Sequence, residues 1–379
     1  MVPPVATTPG QTASPQAAGT ARVACIGAGA WGRHLVRNFH SLGVLATICD
    51  SRADVLHGLR PRYRNIRMAR SADEVLGDSS ITAVVIATPA ETHADLVRAA
   101  LLADKDVLVE RPLAVSAADA AALVGVAEAQ GRVLMVGHLL WYHPAVLRLK
   151  ELVTSGELGR LRYIYSNRLN LGTLRREENI HGSFAPQDIS VMLGLVDEMP
   201  DVVQAMGGNY LHDEIADVTM STLSFPSGVR AHLFVSWLHP FKEQKLVVVG
   251  ERQMAVFDDL APTDKLVLYP HTVEWRSHYP VPDHAAGVAL SIGSTEPLLE
   301  ECAHFLECVA TRSRPRTDGP EAVRVLRVLE RCQRAVAARP GNLKGWGSPV
   351  VGMARHSGAH YRPSVSRGPR VALDLGRLR

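Results

Sequence analysis

Long apolar stretches are missing from this 379-residue chain, in which no run approaches the roughly 20 residues that a membrane-spanning helix requires. The N-terminus also lacks the basic region followed by an apolar one that marks a secretory signal. We therefore expect a protein that is neither embedded in a membrane nor exported, and that is cytoplasmic.

The chain also has few cysteines and few lysines, and its net charge is low. The five cysteines are scattered and form no CxxC pair, so no metal site is predicted and free thiols in a reducing compartment are expected. The net charge is only +3, which excludes the concentrated basic stripe that nucleic-acid binding requires. Only six of the 41 basic residues are lysines, so an arginine that stands where a lysine is expected needs an explanation.

The composition that remains, with 46% hydrophobic and 21% charged residues, is typical of a soluble globular protein, and the length suits two domains. Residues 1–20 are a mixture of Pro, Ala, Thr, Gln and Gly that we expect to be a disordered leader. Residues 339–379 are rich in Gly, Pro, Ser and Arg without periodicity, and we expect a flexible basic tail. The two predicted domains span residues 21–143 and 144–338.

The first domain alternates short apolar runs with amphipathic segments of helix length. Continuous Val, Ile, Leu and Ala runs separated by helical crossovers predict a doubly wound parallel sheet, hence an α/β fold. The strands are expected at residues 22–26, 45–50, 83–88, 106–110 and 133–137.

The second domain has longer alternating strands, several of which are joined by turns of hairpin length. It is predicted to be an α+β domain with a large open antiparallel sheet. Strands are expected at residues 160–171, 218–225, 229–238, 245–250 and 254–259. Helices are expected at residues 145–154, 184–194, 297–311 and 321–338.

A GxGxxG motif lies between the first strand and the first helix. Gly27 permits the tight turn, Gly29 lets the backbone approach a pyrophosphate, and Gly32 allows close packing of the helix. Asp50 closes the second strand about twenty residues later, where a carboxylate accepts hydrogen bonds from ribose hydroxyls. The residues expected to bind the dinucleotide here are Gly27, Gly29, Ala30, Trp31, Gly32, Asp50, Ser51 and Arg52.

The acid also bears on which dinucleotide is bound. Asp50 repels a 2′-phosphate, which favours NAD(H), whereas the neighbouring Arg52 could pair with that phosphate, so that NADP is not excluded.

Three further segments fix a family: residues 87–93 at the end of the strand expected at 83–88, Glu110-Arg111-Pro112 at the end of the strand expected at 106–110, and residues 183–188. Together with the glycine motif they resemble the Gfo/Idh/MocA oxidoreductases over about residues 22–338. The resemblance implies that Thr88, Pro89 and His93 line the cofactor cleft. It also implies that Glu110 lies near the nicotinamide ribose, and that the sheet-rich second domain carries the substrate and supports a homo-oligomer.

Within that family, several stretches look like the nucleotide-sugar 3-dehydrogenases that act on UDP-N-acetylglucosaminuronate. The stretches are residues 137–144, 167–172, 175–180, 184–186 and 241–245. A sugar or nucleotide-sugar substrate is therefore expected. The residues expected to bind it are Tyr142, Arg168, Asn170, Arg176 and Asn179, although basic residues such as these are more often a solvated cluster.

Both of the family's usual proton-handling residues are replaced here. The lysine of the Glu-Lys-Pro motif is Arg111, and the catalytic histidine of the Phe-Ala-Pro-His-Asp context is Gln187. Oxidation of a secondary alcohol transfers a hydride to the nicotinamide and needs a base for the hydroxyl proton. An arginine stays protonated and a glutamine does not titrate, so neither residue can be that base.

Three explanations stay open. Another group is the base, with His181 the first candidate because imidazole titrates near neutrality and Asp188, Tyr142 and His143 as further ones. Alternatively, NAD(H) is still bound but the reaction is not net redox, as in a cyclase, dehydratase or epimerase, with Arg111 polarising a carbonyl. In the third explanation the chain is a non-catalytic NAD-binding partner subunit.

Overall fold

Six short strands near the N-terminus pair side by side into a parallel sheet. The computed structural model describes residues 21–171, 180–211, 215–283 and 285–338. The strands are β1 Val23–Ile26, β2 Leu45–Cys49, β3 Arg67–Ala69, β4 Ala83–Ile86, β5 Asp106–Glu110 and β6 Leu134–Gly137. Their spatial order is β3-β2-β1-β4-β5-β6, all parallel, which is the order of a dinucleotide-binding sheet. The prediction of an α/β doubly wound domain is confirmed.

Five helices connect these strands. They are α1 Gly32–Ser41, α2 Ala53–Leu59, α3 Ala72–Leu76, α4 His93–Leu102 and α5 Ala117–Ala129. The apolar side chains of α1 recur at helical spacing, and Leu35, Val36 and Phe39 are buried. Ser71 and Ser116 cap α3 and α5 by accepting backbone N–H bonds. The three-residue strand β3 escaped the sequence analysis because two of its three side chains are not buried.

The second sheet has eight strands in the order β16-β13-β12-β11-β7-β10-β9-β8. They are β7 Leu161–Leu169, β8 Val202–Gly208, β9 Val218–Ser224, β10 Arg230–Ser236, β11 Glu243–Gly250, β12 Met254–Asp258, β13 Leu266–Tyr269 and β16 Val288–Ala289. A separate hairpin consists of β14 Thr272–Arg276 and β15 Tyr279–Asp283. The predicted hairpins β9–β10 and β11–β12 are both antiparallel.

One pair corrects the expectation of a purely antiparallel sheet. β10 lies parallel to β7, while every other pair in this sheet is antiparallel. The reason is the connection: a long crossover through a helix and the β8–β9 hairpin leads from β7 to β10, and parallel neighbours require such a crossover. The second domain is therefore α+β with a mixed sheet.

Four helices complete the described chain: α6 Pro144–Thr154, α7 Ile180–Val196, α8 Pro297–Thr311 and α9 Gly319–Ala337. α7 contacts β7, β10 and α9, and α9 also packs on β8, so one face of the second sheet is covered. α8 packs on α1, and α9 packs on α5. The sequence assigns the last two helices to the second domain, but they also pack against helices of the first domain. Residues 21–338 belong to one compact unit. The predicted leader and tail lie outside the described residues.

The contact between α7 and the segment after β6 depends on Gly194. A methyl group built there would overlap the indole ring of Trp141, which is buried. We predict that Gly194→Ala destabilises the protein by about 1–3 kcal/mol, because overpacking displaces the ring. Gly125, on the exposed side of α5, has open space around it, so Gly125→Ala should stabilise by about 0.5–1 kcal/mol. Urea unfolding measures both, and equal effects of the two variants would contradict this packing.

Candidate functional site

The glycine turn after β1 is built by close backbone approach. Gly27 has φ +91, and a side chain there would meet the Ala87 carbonyl at the end of β4. A side chain on Gly32 would collide with the Gly27 carbonyl, so α1 begins directly against the turn. Gly29, by contrast, faces open space except for the Arg52 guanidinium. α1 starts without a side-chain cap, which leaves its N-terminus suited to an anion such as a pyrophosphate.

Asp50 is fixed at the end of β2, beside this turn. Its Oδ2 accepts the Ala28 N–H at 2.9 Å, and its Oδ1 accepts the Arg52 N–H at 3.0 Å. Burial acts to raise the pKa of Asp50, but the backbone N–H groups of Arg52 and Ala28 and the Arg52 guanidinium outweigh it and hold the pKa below its usual range. The carboxylate is therefore ionised at neutral pH and keeps lone pairs for ribose hydroxyls.

Arg52 and Ser51 lie at the surface next to Asp50. The Arg52 Nε lies 3.3 Å from the Asp50 Oδ1, and a second arginine, Arg70, donates to the Ser51 carbonyl at 3.1 Å. One guanidinium group therefore contacts the acid, and a second contacts the backbone of the next residue. The Asp50 carboxylate favours unphosphorylated ribose, while the arginines supply the positive charge that a 2′-phosphate would need.

His93 was expected to line the cleft but is buried, at 1% exposure. Its Nδ1 lies 2.6 Å from the Pro112 carbonyl and its Nε2 lies 2.9 Å from the Thr88 carbonyl. The ring thus ties the loop after β4 to the cis Arg111–Pro112 peptide after β5. The half-buried Thr88 and the exposed Pro89 are positioned by this link, which gives His93 a positioning role.

Glu110 lies at the end of β5 and connects to the glycine turn. The Trp31 Nε1 donates to its Oε1 at 2.5 Å, while its Oε2 occupies the space that a side chain at Gly137 would fill. Loss of hydration raises the pKa of Glu110, against the opposing effects of the Trp31 hydrogen bond and the Arg111 charge. Trp31 itself is 43% exposed, so this hydrogen-bonded pair lies near the surface of the first domain.

Asp188, named as a catalytic candidate, is fully engaged inside the protein. Its Oδ2 accepts the Arg168 Nε at 2.6 Å, and its Oδ1 accepts the Arg168 guanidinium at 3.2 Å and the Ser166 hydroxyl at 2.8 Å. The charge of Arg168 is retained because Asp188 offsets the burial that would otherwise lower its pKa, and the net effect raises it. This ion pair anchors α7 to β7, so Arg168 is committed to Asp188, which directly follows the half-buried Gln187.

The other predicted substrate residues are scattered. Tyr142 is 1% exposed, and its hydroxyl lies 3.1 Å from the Thr317 hydroxyl, so it belongs to the interior between β6 and the segment before α9. Asn170 is half-buried and its N–H donates to the Ser236 carbonyl. Arg176, Asn179 and the His181 side chain lie outside the described part of the chain. His143 caps α6 by accepting the Ala145 N–H at 3.1 Å.

Two buried polar groups were missed by the sequence analysis. His138, directly after β6, pairs with Glu321 on α9, and a polar residue at the carboxyl end of a parallel strand is a sign that could have marked it. Glu301 on α8 is 1% exposed, and its Oε1 has no hydrogen-bond partner in the described structure. Its spacing with Leu298 and Phe305 places it in the buried stripe of the helix, which also could have marked it. Among the described residues no group of three or more potential ligands could hold a metal ion.

Comparison with known protein families identifies the family to which this chain belongs. Residues 21–138 match the model of the GFO/IDH/MocA oxidoreductase family with an NAD-binding Rossmann fold, and residues 146–256 match the GFO/IDH/MocA C-terminal domain. The chain belongs to the Gfo/Idh/MocA oxidoreductases and carries their NAD-binding Rossmann domain. Within the described ranges, no helix has the length and apolar character needed to cross a membrane.

Individual relatives give more detail. UDP-N-acetylglucosamine 3-dehydrogenase from Acidithiobacillus ferrooxidans is 27% identical over 323 residues, which cover 84% of this chain and 97% of that protein. Its solved structure aligns with a TM-score of 0.74 at 25% identity, over 84% of this chain and 97% of that one. A solved oxidoreductase from Magnetospirillum magnetotacticum is 30% identical, with a TM-score of 0.71, over 82% of this chain and 99% of that one. 2,7-anhydro-N-acetylneuraminate hydratase from Escherichia coli is 24% identical over 60% of this chain and 64% of that protein.

The Asp50 geometry predicts the cofactor preference. We expect the protein to bind NADH more tightly than NADPH, and we expect Asp50→Asn to weaken NADH binding roughly tenfold or more, because charge-assisted hydrogen bonds to the ribose are lost. NADPH binding should weaken less, since the repulsion of the 2′-phosphate is also removed. Cofactor fluorescence titrations measure both affinities.

Asp54→Asn is the matched control for this variant, because Asp54 is an exposed acid in the first turn of α2. It should leave both affinities within about twofold, as is usual for an exposed carboxylate. An Asp50→Asn variant with the wild-type NADH affinity would contradict the assigned role of Asp50.

Proposed function

We propose that this protein transfers a hydride between NAD(H) and a secondary alcohol or ketone of a sugar or nucleotide sugar. The observation that carries the proposal is the intact nucleotide cradle, in which the Gly27 turn, the N-terminus of α1 and the ionised Asp50 lie together. A near full-length similarity to a UDP-N-acetylglucosamine 3-dehydrogenase supports the substrate class.

The residues present fit the dinucleotide. Gly29 leaves its side open for a pyrophosphate, Asp50 presents a carboxylate to the ribose, and Glu110 lies at the carboxyl end of β5, where a doubly wound sheet places its reacting groups. When bound, the nicotinamide accepts or gives the hydride. The protein must orient the sugar and take up the hydroxyl proton.

Arg111 and Gln187 are assigned to orientation. A guanidinium donates hydrogen bonds and stabilises negative charge that develops on a carbonyl or alkoxide oxygen. Gln187 extends from α7 next to the anchored Asp188, and its amide can donate to one sugar oxygen and accept from another hydroxyl. Together they bind the substrate without accepting its proton.

The direct test supplies NAD⁺ together with UDP-N-acetylglucosamine or UDP-N-acetylglucosaminuronate. The proposal predicts NADH formation, followed by absorbance, with a rate that depends on both reactants. Arg111→Met should lower kcat/KM by roughly 100-fold, because a charged donor to the reacting oxygen is lost. A protein that binds NADH but forms none from any nucleotide sugar would contradict the proposal and favour a binding role.

A second candidate is a reaction without net redox change, such as a hydration, elimination or epimerisation. The observation that favours it is the replacement of both usual proton handlers by Arg111 and Gln187. The 24% identity to a 2,7-anhydro-N-acetylneuraminate hydratase supports the idea that this family scaffold hosts such chemistry. On this reading Arg111 polarises a carbonyl while NAD(H) is retained.

The two candidates are separated by restoring the family's residues. If hydride transfer was lost through these two changes, Arg111→Lys combined with Gln187→His should create NADH formation from a nucleotide sugar where the wild type shows none. The wild type would instead convert its substrate with unchanged cofactor absorbance, as followed by mass spectrometry. A double variant that binds NADH yet stays inactive would contradict this origin of the non-redox reaction.

We also propose that the uncovered face of the second sheet joins two copies of the chain. The strand register places Met206, Met220 and Phe234 in one row across β8, β9 and β10, with Tyr163 in a parallel row on β7. Both methionines are 49% exposed and Tyr163 is 41% exposed, and they lie on β8 at the sheet edge, on the adjacent β9 and on the interior strand β7. An apolar sheet face of this kind supports a symmetric, self-complementary contact.

Substitution in this face tests the assembly. Met220→Arg should convert a dimer or tetramer into a smaller species in analytical ultracentrifugation, because it buries an unpaired charge in the contact. Arg60, which is exposed in the first domain, provides the control Arg60→Met. A monomeric wild type at high concentration would contradict the proposal.

The five free, buried cysteines support placing the protein in the reducing cytoplasm.

A further inference from the structure

A chain of polar groups runs behind the cleft, through elements that the sequence does not connect. Trp141 Nε1 donates to the Ser190 hydroxyl at 2.8 Å, and Ser190 donates to Oε1 of Glu321. The other carboxylate oxygen of Glu321, Oε2, lies 2.6 Å from His138 Nδ1. Both oxygens of Glu321 are therefore engaged, and the carboxylate has one fixed orientation.

This arrangement fixes the tautomer of His138. A carboxylate can only accept, so Nδ1 carries the proton and donates it to Glu321, which leaves Nε2 of the neutral ring as an acceptor. His138 is 3% exposed, and no residue in the described part of the chain is hydrogen bonded to its Nε2. A carboxylate behind an imidazole in this way orients the ring and stabilises its protonated form.

Glu110 lies on the neighbouring strand at the same level. Glu110 pairs with Gly137 in the β5–β6 register, and its Oε2 fills the space beside the Gly137 Cα, directly before His138. In its protonated form, His138 favours the ionised form of Glu110 through its charge. Glu110 is also the carboxylate next to Arg111, so it connects the cleft to the buried pair.

Gln187 and Ser190 lie on one face of α7, because residues three apart are neighbours on a helix. The Gln187 position, where the family has its histidine, is thus one turn from the Ser190 link to Glu321. Residue 187, where the family has a titratable histidine, therefore lies on the same part of α7 as the link to the His138–Glu321 pair.

From this geometry we infer that Glu110 is the proton acceptor of the reaction and that His138, held by Glu321, is the positioning residue that takes the proton onward. This inference rests on the proposed hydride transfer. In the step, the C–H bond of the alcohol breaks and its electron pair leaves with the hydrogen to NAD⁺. The O–H proton moves to the Glu110 carboxylate, and from there to Nε2 of His138. The products are the ketone, NADH and an imidazolium paired with Glu321.

The surrounding charges are consistent with this direction of transfer. Glu110 lies next to Arg111, and burial, with a further contribution from the charge of Glu110, raises the pKa of Glu301 on α8. His138 faces Glu321 from α9, and Arg316, before α9, is held by the Trp141 carbonyl. Glu321 thus pairs directly with the imidazole of His138, and Glu110 interacts with it through charge.

The test compares pH profiles of kcat/KM for NAD⁺ reduction with UDP-N-acetylglucosamine. Burial raises the pKa of Glu110, so the relay of Glu110, His138 and Glu321 should lose activity in the wild type toward low pH as the Glu110 carboxylate becomes protonated. His138→Gln keeps a donor for Glu321 but cannot take up the proton from Glu110, so it should lower kcat/KM by roughly 100-fold, with NADH affinity unchanged within about twofold and the acid limb of Glu110 retained. Glu321→Gln should also lower the rate, because it removes the charge that stabilises the imidazolium.

His304→Gln is the matched control, since His304 is a partly buried histidine on α8 that accepts the Arg316 N–H outside the relay. It should retain the wild-type rate. A His138→Gln variant that also retains the wild-type rate overturns the inference. So does a variant whose NADH affinity falls in proportion to its rate, because that is the result of a purely structural role.

A measurement without substrate keeps the inference testable if hydride transfer itself is not observed. Calorimetry of NADH binding in buffers of different ionisation heat counts the protons taken up. Binding of the cofactor next to Glu110 should drive uptake of a proton by the relay of Glu110 and His138. Uptake should be lost in His138→Gln and retained in His304→Gln. Equal uptake in both variants overturns the relay, whereas an inactive wild type with His138-dependent uptake contradicts only the proposed function.

Discussion

The hydrogen bond from the Ala28 N–H to the Asp50 carboxylate is the interaction on which the rest of the site depends. It joins the glycine turn after β1 to the end of β2, and the same carboxylate is held by the Arg52 N–H. Because Gly27 packs on the Ala87 carbonyl, the turn is also fixed to β4. The ends of three adjacent strands are thereby locked into one cradle, and the N-terminus of α1 faces into it.

The second constraint concerns the proton. Hydride transfer from an alcohol needs a group that accepts a proton at neutral pH, and Arg111 and Gln187 do not. The titratable groups of this region lie deeper, in Glu110, His138 and Glu321, and the ion pair between Arg168 and Asp188 fixes the helix that covers them. The proposed hydride transfer is compatible with the half-buried Arg111 and Gln187 when a nearby carboxylate and imidazole remain available. The fold and the chemistry of its site are separable in this way.

The sequence indicated the cradle because its parts are local. Gly27, Gly29, Gly32 and Asp50 lie within one strand-helix-strand unit, where spacing alone sets their positions. The strand β3 was not predicted, since Arg67–Ala69 is short and only one of its three residues is buried. The parallel pairing of β7 with β10 depends on which strands become neighbours after a crossover, and periodicity does not encode that choice.

Long-range partners account for the other differences. His138 and Glu321 are 183 residues apart, and Asp188 meets Arg168 only because α7 folds over β7. Tyr142 and His93 have side chains of the type that binds a ligand. The Tyr142 hydroxyl is instead paired with the Thr317 hydroxyl, and the His93 ring is paired with two backbone carbonyls. A residue type indicates what a side chain can do, while burial and the partner decide whether it is available.

A crystal structure of the protein with NAD⁺ and a nucleotide sugar tests the central claim most directly. The account predicts the adenosine ribose on the Asp50 carboxylate, the pyrophosphate against Gly29 and the start of α1, and a sugar hydroxyl within hydrogen-bond distance of Glu110 beside the nicotinamide. A dinucleotide bound away from the glycine turn, or a Glu110 carboxylate turned away from both ligands, would contradict it.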